Sequence, residues 1–294
     1  MIEIKDVTKT FEKKTVASNH LSLSIDRGII GLVGENGAGK STLFRLIANV
    51  IHPDQGEILI DSIPNSKMEA KEKIFYLPDD PYVKSSSTID SIFDFYNAFY
   101  TIDKARFNNF INTFELPRNR KVMGFSKGMR RQLFIAIALS VKADYLLLDE
   151  AFDGLDPLIM AKIKSYIFDS KEERKAIVIA SHNINALNQL ADKVLLLSKG
   201  SLMKNGSVED LAKTLVKYQI AVDGEITRDG LNKAGFHVVS IKKLGSIYHL
   251  VVYQDEKFIP YMNETYKPKI MDEIPLDPEE IVTLNMLDAK GETK

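Results

Sequence analysis

One short segment carries the strongest chemical signal in the chain. Gly34-Glu35-Asn36-Gly37-Ala38-Gly39-Lys40-Ser41 follows an apolar run, Ile29–Val33, and precedes residues with helical spacing. Glycines let backbone N–H groups curl around phosphate oxygens, and the N-terminus of the following helix adds partial positive charge. In such a loop Asn36, Gly37, Ala38 and Gly39 form the cradle, with Thr42 just inside the helix. Lys40 neutralises the outer phosphates, and the Ser41 hydroxyl ligates Mg²⁺. The same string without a strand before it and a helix after it would be a chance glycine turn. A second segment, Leu146-Leu147-Leu148-Asp149-Glu150, reads as an apolar strand ending in two carboxylates. Asp149 is placed to hold Mg²⁺ through water, and Glu150 to polarise an attacking water as general base. Alone, that strand end is no more than a solvated edge; beside a phosphate loop it completes a site for ATP and Mg²⁺.

The elements that must position these residues follow from periodicity. Ile2–Val7 and Leu21–Ile25 alternate apolar and polar positions like half-buried strands, and Glu57–Ile60 is a further strand. Leu43, Leu46, Ile47 and Val50 fall on one face of a helix over Ser41–Ile51. From Thr88 the pattern turns helical: Ile89, Ile92, Phe93, Tyr96 and Tyr100, then Arg106–Phe114, then Met129–Val141. Tyr145–Leu148, Ile177–Ala180 and Val194–Leu197 are short apolar runs of the kind buried on both faces. Strands alternating with helices imply an α/β fold with a mainly parallel sheet covered on both sides. Around Lys213–Tyr218 the rhythm changes to strand, helix, strand, strand, helix, strand, a split βαββαβ unit. A last helix, Pro278–Leu287, has Asp277 as N-cap and Glu280 three residues on.

Length and composition bound the rest. At 294 residues the chain is long enough for two domains, expected at 1–215 and 216–294, with a helical part of the first over about 82–140. The balance of 39 Lys+Arg against 40 Asp+Glu argues against a binder that grips nucleic acid by bulk positive charge. The absence of cysteine excludes disulfides and thiolate metal sites. No secretory signal is visible, and the longest apolar stretch, Leu133 to Val141, is too short to span a bilayer. His20, His52, His237 and His249 lack ligand spacing and are expected to be structural or exposed.

Taken in order, these segments resemble the ATP-binding cassette family, the nucleotide-binding subunits of ABC transporters. Phe125-Ser126-Lys127-Gly128-Met129 resembles the family's LSGGQ signature, Gly154-Leu155-Asp156-Pro157 its D-loop, and Ser181-His182 its switch histidine. Phe11 lies where the family stacks an aromatic on adenine. The resemblance covers residues 1–210 and implies a P-loop cassette, a RecA-like core plus helical subdomain, followed by a small α+β domain. It further implies a dimer of two ATPase subunits facing head to tail. Ser126 and Gly128 would reach the γ-phosphate held by the partner chain, His182 would contact that phosphate, and Asp156 would link the two sites. A separately encoded transmembrane permease is the implied partner, which places the protein at the cytoplasmic face of the membrane. The signature variant and the short C-terminal extension look most like exporter-type ATPases for drugs or amphipathic peptides.

The chain departs from the family at three positions. Asp79 stands where a glutamine usually binds Mg²⁺; either Asp79 takes the metal instead, or the Pro78-Asp79-Asp80-Pro81 loop has shifted by one residue. Lys127 and Met129 replace a glycine and a glutamine of the signature. A regulatory, hydrolysis-poor subunit is the rival that Asp79 suggests, against which Lys40, Asp149, Glu150 and His182 weigh. Ribosome- or DNA-acting relatives usually carry paired cassettes or long coiled-coil insertions, and this chain carries neither.

Overall fold

Apolar runs that must be buried on both faces form the centre of the protein. In the computed structural model, which describes residues 1–12, 15–182, 184–187, 190–207, 210–211 and 213–289, β3 (Gly28–Val33), β7 (Tyr145–Asp149) and β8 (Ala176–Ser181) are almost wholly buried. With β6 (Ile74–Leu77), β9 (Lys193–Ser198) and β10 (Ser201–Gly206) they make a six-stranded sheet, ordered β10-β9-β3-β8-β7-β6. The pairs β9–β3, β3–β8, β8–β7 and β7–β6 are parallel. Parallel strands place all their C-terminal ends on one edge, where the loops carrying chemistry gather.

A second, antiparallel sheet was not anticipated as a separate layer. It runs β2-β1-β4-β5, from β1 (Ile2–Phe11), β2 (Thr15–Ile25), β4 (Gln55–Ile60) and β5 (Ile63–Pro64). Ile2, Ile4, Leu21, Ile58 and Ile60 on its inner face join one core cluster with Leu32, Val178 and Leu147 of the parallel sheet. Between them lies α1 (Lys40–Ile47), which contributes Leu43, Phe44, Leu46 and Ile47. This helix is shorter than its periodicity suggested. It closes at Ala48, Asn49 turns left-handed (φ 54°), and Val50 is exposed rather than on the apolar face.

The helical stretch holds α3 (Ile89–Asn97), α4 (Lys104–Thr113) and α5 (Lys127–Ser140), after a short α2 (Met68–Lys71). Each has a side-chain cap that its sequence supplies: Thr88 with Ser91, Asp103, and Ser126. From Arg131 to Ser140, α5 is buried on every side, as an internal helix must be. The aromatic stripe divides. Phe93, Tyr96 and Tyr100 pack on Phe107, Phe134 and Phe75, while Phe95 and Phe99 stay exposed. Two further helices, α6 (Pro157–Asp169) and α7 (Ile184–Leu187), flank β8 in sequence.

The chain divides into two compact units, Met1–Leu202 and Met203–Lys294, a boundary earlier than the expected 215/216. In the second unit β11 (Leu215–Ala221), α8 (Arg228–Lys233), β12 (Val238–Leu244), β13 (Ile247–Tyr253), α9 (Phe258–Thr265) and β14 (Ile270–Ile274) follow the βαββαβ order. The sheet is antiparallel, β12-β13-β11-β14. Leu231, Phe258 and Met262 of its two helices cover one face against Tyr218, Ile220 and Leu250. On the other face, Leu284 of α10 (Pro278–Ala289) packs on Leu215, Val239 and Val251. Asp277 Oδ1 accepts from the Glu280 amide at 2.8 Å, the N-terminal cap that the sequence specifies.

Candidate functional site

The phosphate loop joins β3 to α1, and its backbone requires glycine. Gly39 caps α1 with φ 102°, and a Cβ there would come within 2.3 Å of the Ala17 carbonyl oxygen. Without a side-chain cap, the first-turn N–H groups of Lys40, Ser41 and Thr42 are left to an anionic ligand. Asn36 and Gly37 are exposed on the loop and Ala38 is buried beneath it. The Lys40 ammonium, 6% exposed, donates to the carbonyls of Gly34 (2.6 Å) and Glu35 (3.2 Å). It therefore lies along the loop, its charge aimed where phosphate oxygens would sit.

At the end of β7, Asp149 is 1% exposed, lies beside Ser41 and accepts from the Tyr76 hydroxyl at 3.4 Å. Burial first, then the charges of Glu150 and Asp79, push its carboxyl up. Burial and the Asp149 charge likewise push Tyr76 up to about 12. Asp149 Oδ1 has no hydrogen-bond partner. An orphaned carboxylate oxygen next to a serine hydroxyl is a hard-oxygen pair that fits Mg²⁺. No group of three or more His, Asp or Glu able to hold a metal exists among the described residues; a cation held by Ser41 and Asp149 would take its other ligands from water or a bound ligand.

Glu150 adopts left-handed backbone (φ 47°), a conformation costing roughly 1–2 kcal/mol for a residue with a Cβ. The turn aims its carboxylate at two partners: Lys40 Nζ at 3.7 Å and His182 Nδ1 at 2.9 Å. Because a carboxylate can only accept, His182 donates from Nδ1 and leaves Nε2 for another group. Lys40, Glu150 and His182 thus converge from three different loops at the C-terminal edge of the parallel sheet.

Phe11 ends β1, is 38% exposed, and pairs with Thr15 of β2. That hairpin leads into Ala17, the residue against Gly39, so the aromatic ring is carried to the neighbourhood of the phosphate loop. Ser126 caps α5, accepting from the Met129 amide at 3.1 Å. Gly128 lies so close to the Gly154 carbonyl that a Cβ would meet it at 2.9 Å. Among the described residues, no hydrogen bond joins Ser126 or Gly128 to the phosphate loop. Asp156 caps α6 through the amides of Leu158 (3.1 Å) and Ile159 (3.0 Å), a local role that its position in the D-loop did not suggest.

Asp79, which the sequence offers as a metal ligand unless its loop is shifted by one residue, is paired here with an arginine. Its Oδ1 takes the Arg131 Nη2 at 2.5 Å. Arg131 was missed in the sequence, where it is the second of an Arg-Arg pair opening an otherwise apolar helix. A charge on the buried side of such a helix was the available signal. Lys127 is paired with Asp153 at 2.5 Å, which holds the Asp153 carboxyl below its usual range and raises the Lys127 ammonium.

Residues 18–153 match the family model described as ABC transporter. The ABC transporter ATP-binding protein NatA of Bacillus subtilis is 34% identical over 224 residues, covering 72% of this chain and 91% of NatA. YtrB of the same organism, also an ABC transporter ATP-binding protein, is 28% identical over 286 residues and 96% of both chains. Among solved structures, the dimeric bacterial ABC transporter cassette MJ0796 superposes with a TM-score of 0.63 at 24% identity, over 70% of this chain and 98% of that one.

Proposed function

This chain belongs to the family of ABC transporter ATP-binding proteins, and we propose from that premise how its residues drive a transporter. The observation that carries the reading is the Glu150 carboxylate, strained into place between Lys40 and His182 at the mouth of the phosphate loop. Backbone N–H groups of residues 37–42 and the Lys40 ammonium bind the ATP phosphates. Ser41 and Asp149 would hold Mg²⁺, which when bound would offset phosphate charge and orient the terminal group. Glu150 takes the proton from the attacking water, with His182 fixing its orientation from the opposite side. Phe11 supplies a face on which adenine stacks.

A head-to-tail pair of identical chains is the arrangement we favour, as the resemblance of the Ser126–Gly128 segment to the family signature implies. Each ATP then lies between one chain's phosphate loop and its partner's Ser126 hydroxyl and Gly128 amide. Hydrolysis removes the bridging phosphate and the pair reopens. The motion is delivered to a separately encoded permease at the cytoplasmic face of the membrane, the partner that the family resemblance implies; no helix among the described residues is long and apolar enough to cross a membrane. Export of a drug or amphipathic peptide is the favoured cargo. The signature variant favours this cargo; export in general, though not this cargo, is favoured by 29% identity to LptB of Escherichia coli, named as the ATP-binding protein of a lipopolysaccharide export system.

The test is light scattering of Glu150→Gln. Losing the base slows hydrolysis by about a hundredfold or more, so adding Mg-ATP should double the mass of the particle. A variant that binds ATP but never doubles overturns the head-to-tail homodimer.

A further inference from the structure

We propose that Arg131 is a positioning residue of this site. Its guanidinium holds Asp79 off the metal and ties the loop after β6 to the start of α5 and to the end of β7. The inference rests on the assignment of Ser41 and Asp149 as the metal-holding pair.

Arg131 stands in the second turn of α5 and is 4% exposed, whereas Asp79 is about half exposed. One guanidinium nitrogen meets Asp79 Oδ1 at 2.5 Å, and the other points at the Asp149 carbonyl oxygen at 3.4 Å. Three elements are thereby joined by one planar group: the signature helix, the loop after β6, and the strand end that carries Asp149. Only arginine presents donors in a rigid fork able to serve two such acceptors.

Charge decides which way Asp79 turns. A buried guanidinium stripped of its carboxylate is strongly destabilising, because the charge is left in a poorly polarisable site. Were Asp79 to swing to the metal, Arg131 would keep only a backbone carbonyl. The metal's gain from a second carboxylate, about tenfold in affinity, is smaller than the cost of leaving a buried guanidinium unpaired. A half-exposed Asp79 paired to a buried Arg131 is therefore the lower-energy arrangement with or without a cation nearby.

A second ion pair reinforces the same junction from the other side. One turn before Arg131, Lys127 pairs with Asp153 in the loop after β7. The four groups act on one another: Asp79 raises the Lys127 ammonium, and Arg131 lowers the Asp153 carboxyl. Both charged departures from the family pattern, Asp79 and Lys127, are thus neutralised within the chain. The exposed Lys127 pair is weak by itself; the buried arginine is the stronger tie. A displacement of Asp149 on loading the site would be passed through Arg131 to the Ser126–Gly128 segment and to the loop after β6 together.

The test is a cycle of Asp79→Asn, Arg131→Met and the double variant, each built on Glu150→Gln so that no turnover intervenes. Mn²⁺ binding in the presence of ATP is read by electron paramagnetic resonance. Asp79→Asn should leave Mn²⁺ affinity within about twofold of the parent, since the changed residue is not a ligand. Arg131→Met frees a carboxylate beside the metal and should raise affinity about tenfold, and the double variant should return to the parent value. A loss of about tenfold in Asp79→Asn alone makes Asp79 a ligand and overturns the proposal. Unchanged affinity in all three variants overturns it as well, leaving Arg131 a purely structural partner. Should Arg131→Met fail to fold, hydrogen exchange of Asp79→Asn decides. Faster exchange at Asp80 and in the first two turns of α5 supports the tie, and unchanged exchange refutes it. Asp149→Asn on the same parent must abolish Mn²⁺ binding; if it does not, the metal assignment fails rather than the tie.

Discussion

Asp149→Asn should make the protein more stable while disabling it. Asp149 is 1% exposed, one of its oxygens has no partner, and the neighbouring charges of Glu150 and Asp79 have its own sign. Asparagine keeps the shape and one acceptor for Ser41 and Tyr76 while removing the charge. An unsatisfied buried polar atom costs about 1–3 kcal/mol, more when charged, so neutralising it should recover about 1–2 kcal/mol. For a folding unit the size of Met1–Leu202, that gain raises Tm by about 3–6 °C. The pH dependence has a definite sign. The folded pKa lies above the unfolded value of 3.8, so the native state binds the proton more tightly and wild-type stability is eroded as pH rises through the folded pKa. The variant's advantage is therefore full above the folded pKa and shrinks as pH falls towards the unfolded value of 3.8. Thermal scans by circular dichroism at several pH values, without nucleotide, read both quantities. Mg-ATP at a hundredfold excess over Kd should then stabilise the wild type by about 2.7 kcal/mol and the variant far less. A variant that melts at or below wild type near neutral pH, or whose advantage grows in acid, refutes the argument.

Three further outcomes follow from other contacts. Gly128→Ala forces a methyl against the Gly154 carbonyl, 2.9 Å from the ideal Cβ; the shift should cut ATPase activity about tenfold while fluorescent-nucleotide binding to the single chain is kept. Asp61 accepts from Lys73, Lys175 and Tyr145. Burial opposes its ionisation, but these bonds prevail and hold its carboxyl well below 3.8. Asp61→Asn should cost about 2 kcal/mol at neutral pH. Because that stability is present above the unfolded pKa and lost as pH falls towards the folded one, wild type and variant should converge in acid melts. Asp277→Ala removes the cap at the start of α10 and should cost about 1 kcal/mol, seen as faster hydrogen exchange at Glu280.

How much of this was legible depends on how local the cause is. The phosphate loop could be read because its glycines, lysine and serine are each demanded by backbone geometry or charge within a few residues. β3, β7 and β8 could be read because burial on both faces leaves continuous apolar runs. The second unit's order could be read because alternation and helix caps are short-range signals. What escaped depends on distant pairing. Three of the four strands of the antiparallel sheet look individually like strands, and the two-residue β5 falls in a polar stretch, but nothing in them says they leave the parallel sheet. β6 is only Ile74–Leu77, too short to stand out after the charged Lys71-Glu72-Lys73. Arg131 and Asp79 are 52 residues apart, and nothing local to either points to the other as its partner. Asp156 was visible as a motif residue, yet its hydrogen bonds to the next turn show that it also builds the helix it precedes.

The proposed head-to-tail pairing makes a prediction that single variants cannot. In a two-fold dimer each chain gives its phosphate loop to one site and its signature segment to the other. Lys40→Ala damages the first contribution only, and Ser126→Glu, which places a carboxylate where a phosphate should bind, damages the second only. Each variant alone spoils both sites of its own dimer. In a mixed dimer, one site combines the two lesions and the other combines the intact phosphate loop of the Ser126→Glu chain with the intact signature of the Lys40→Ala chain. Random pairing at equal concentration makes about half the dimers mixed, each with one sound site, so about a quarter of wild-type sites are restored. Two inactive preparations should therefore regain ATPase activity on mixing, on the order of a quarter of the wild-type rate. Native mass spectrometry checks that mixed dimers form. Mixed dimers without activity would mean that the phosphate loop and the signature segment do not complete each other across two chains.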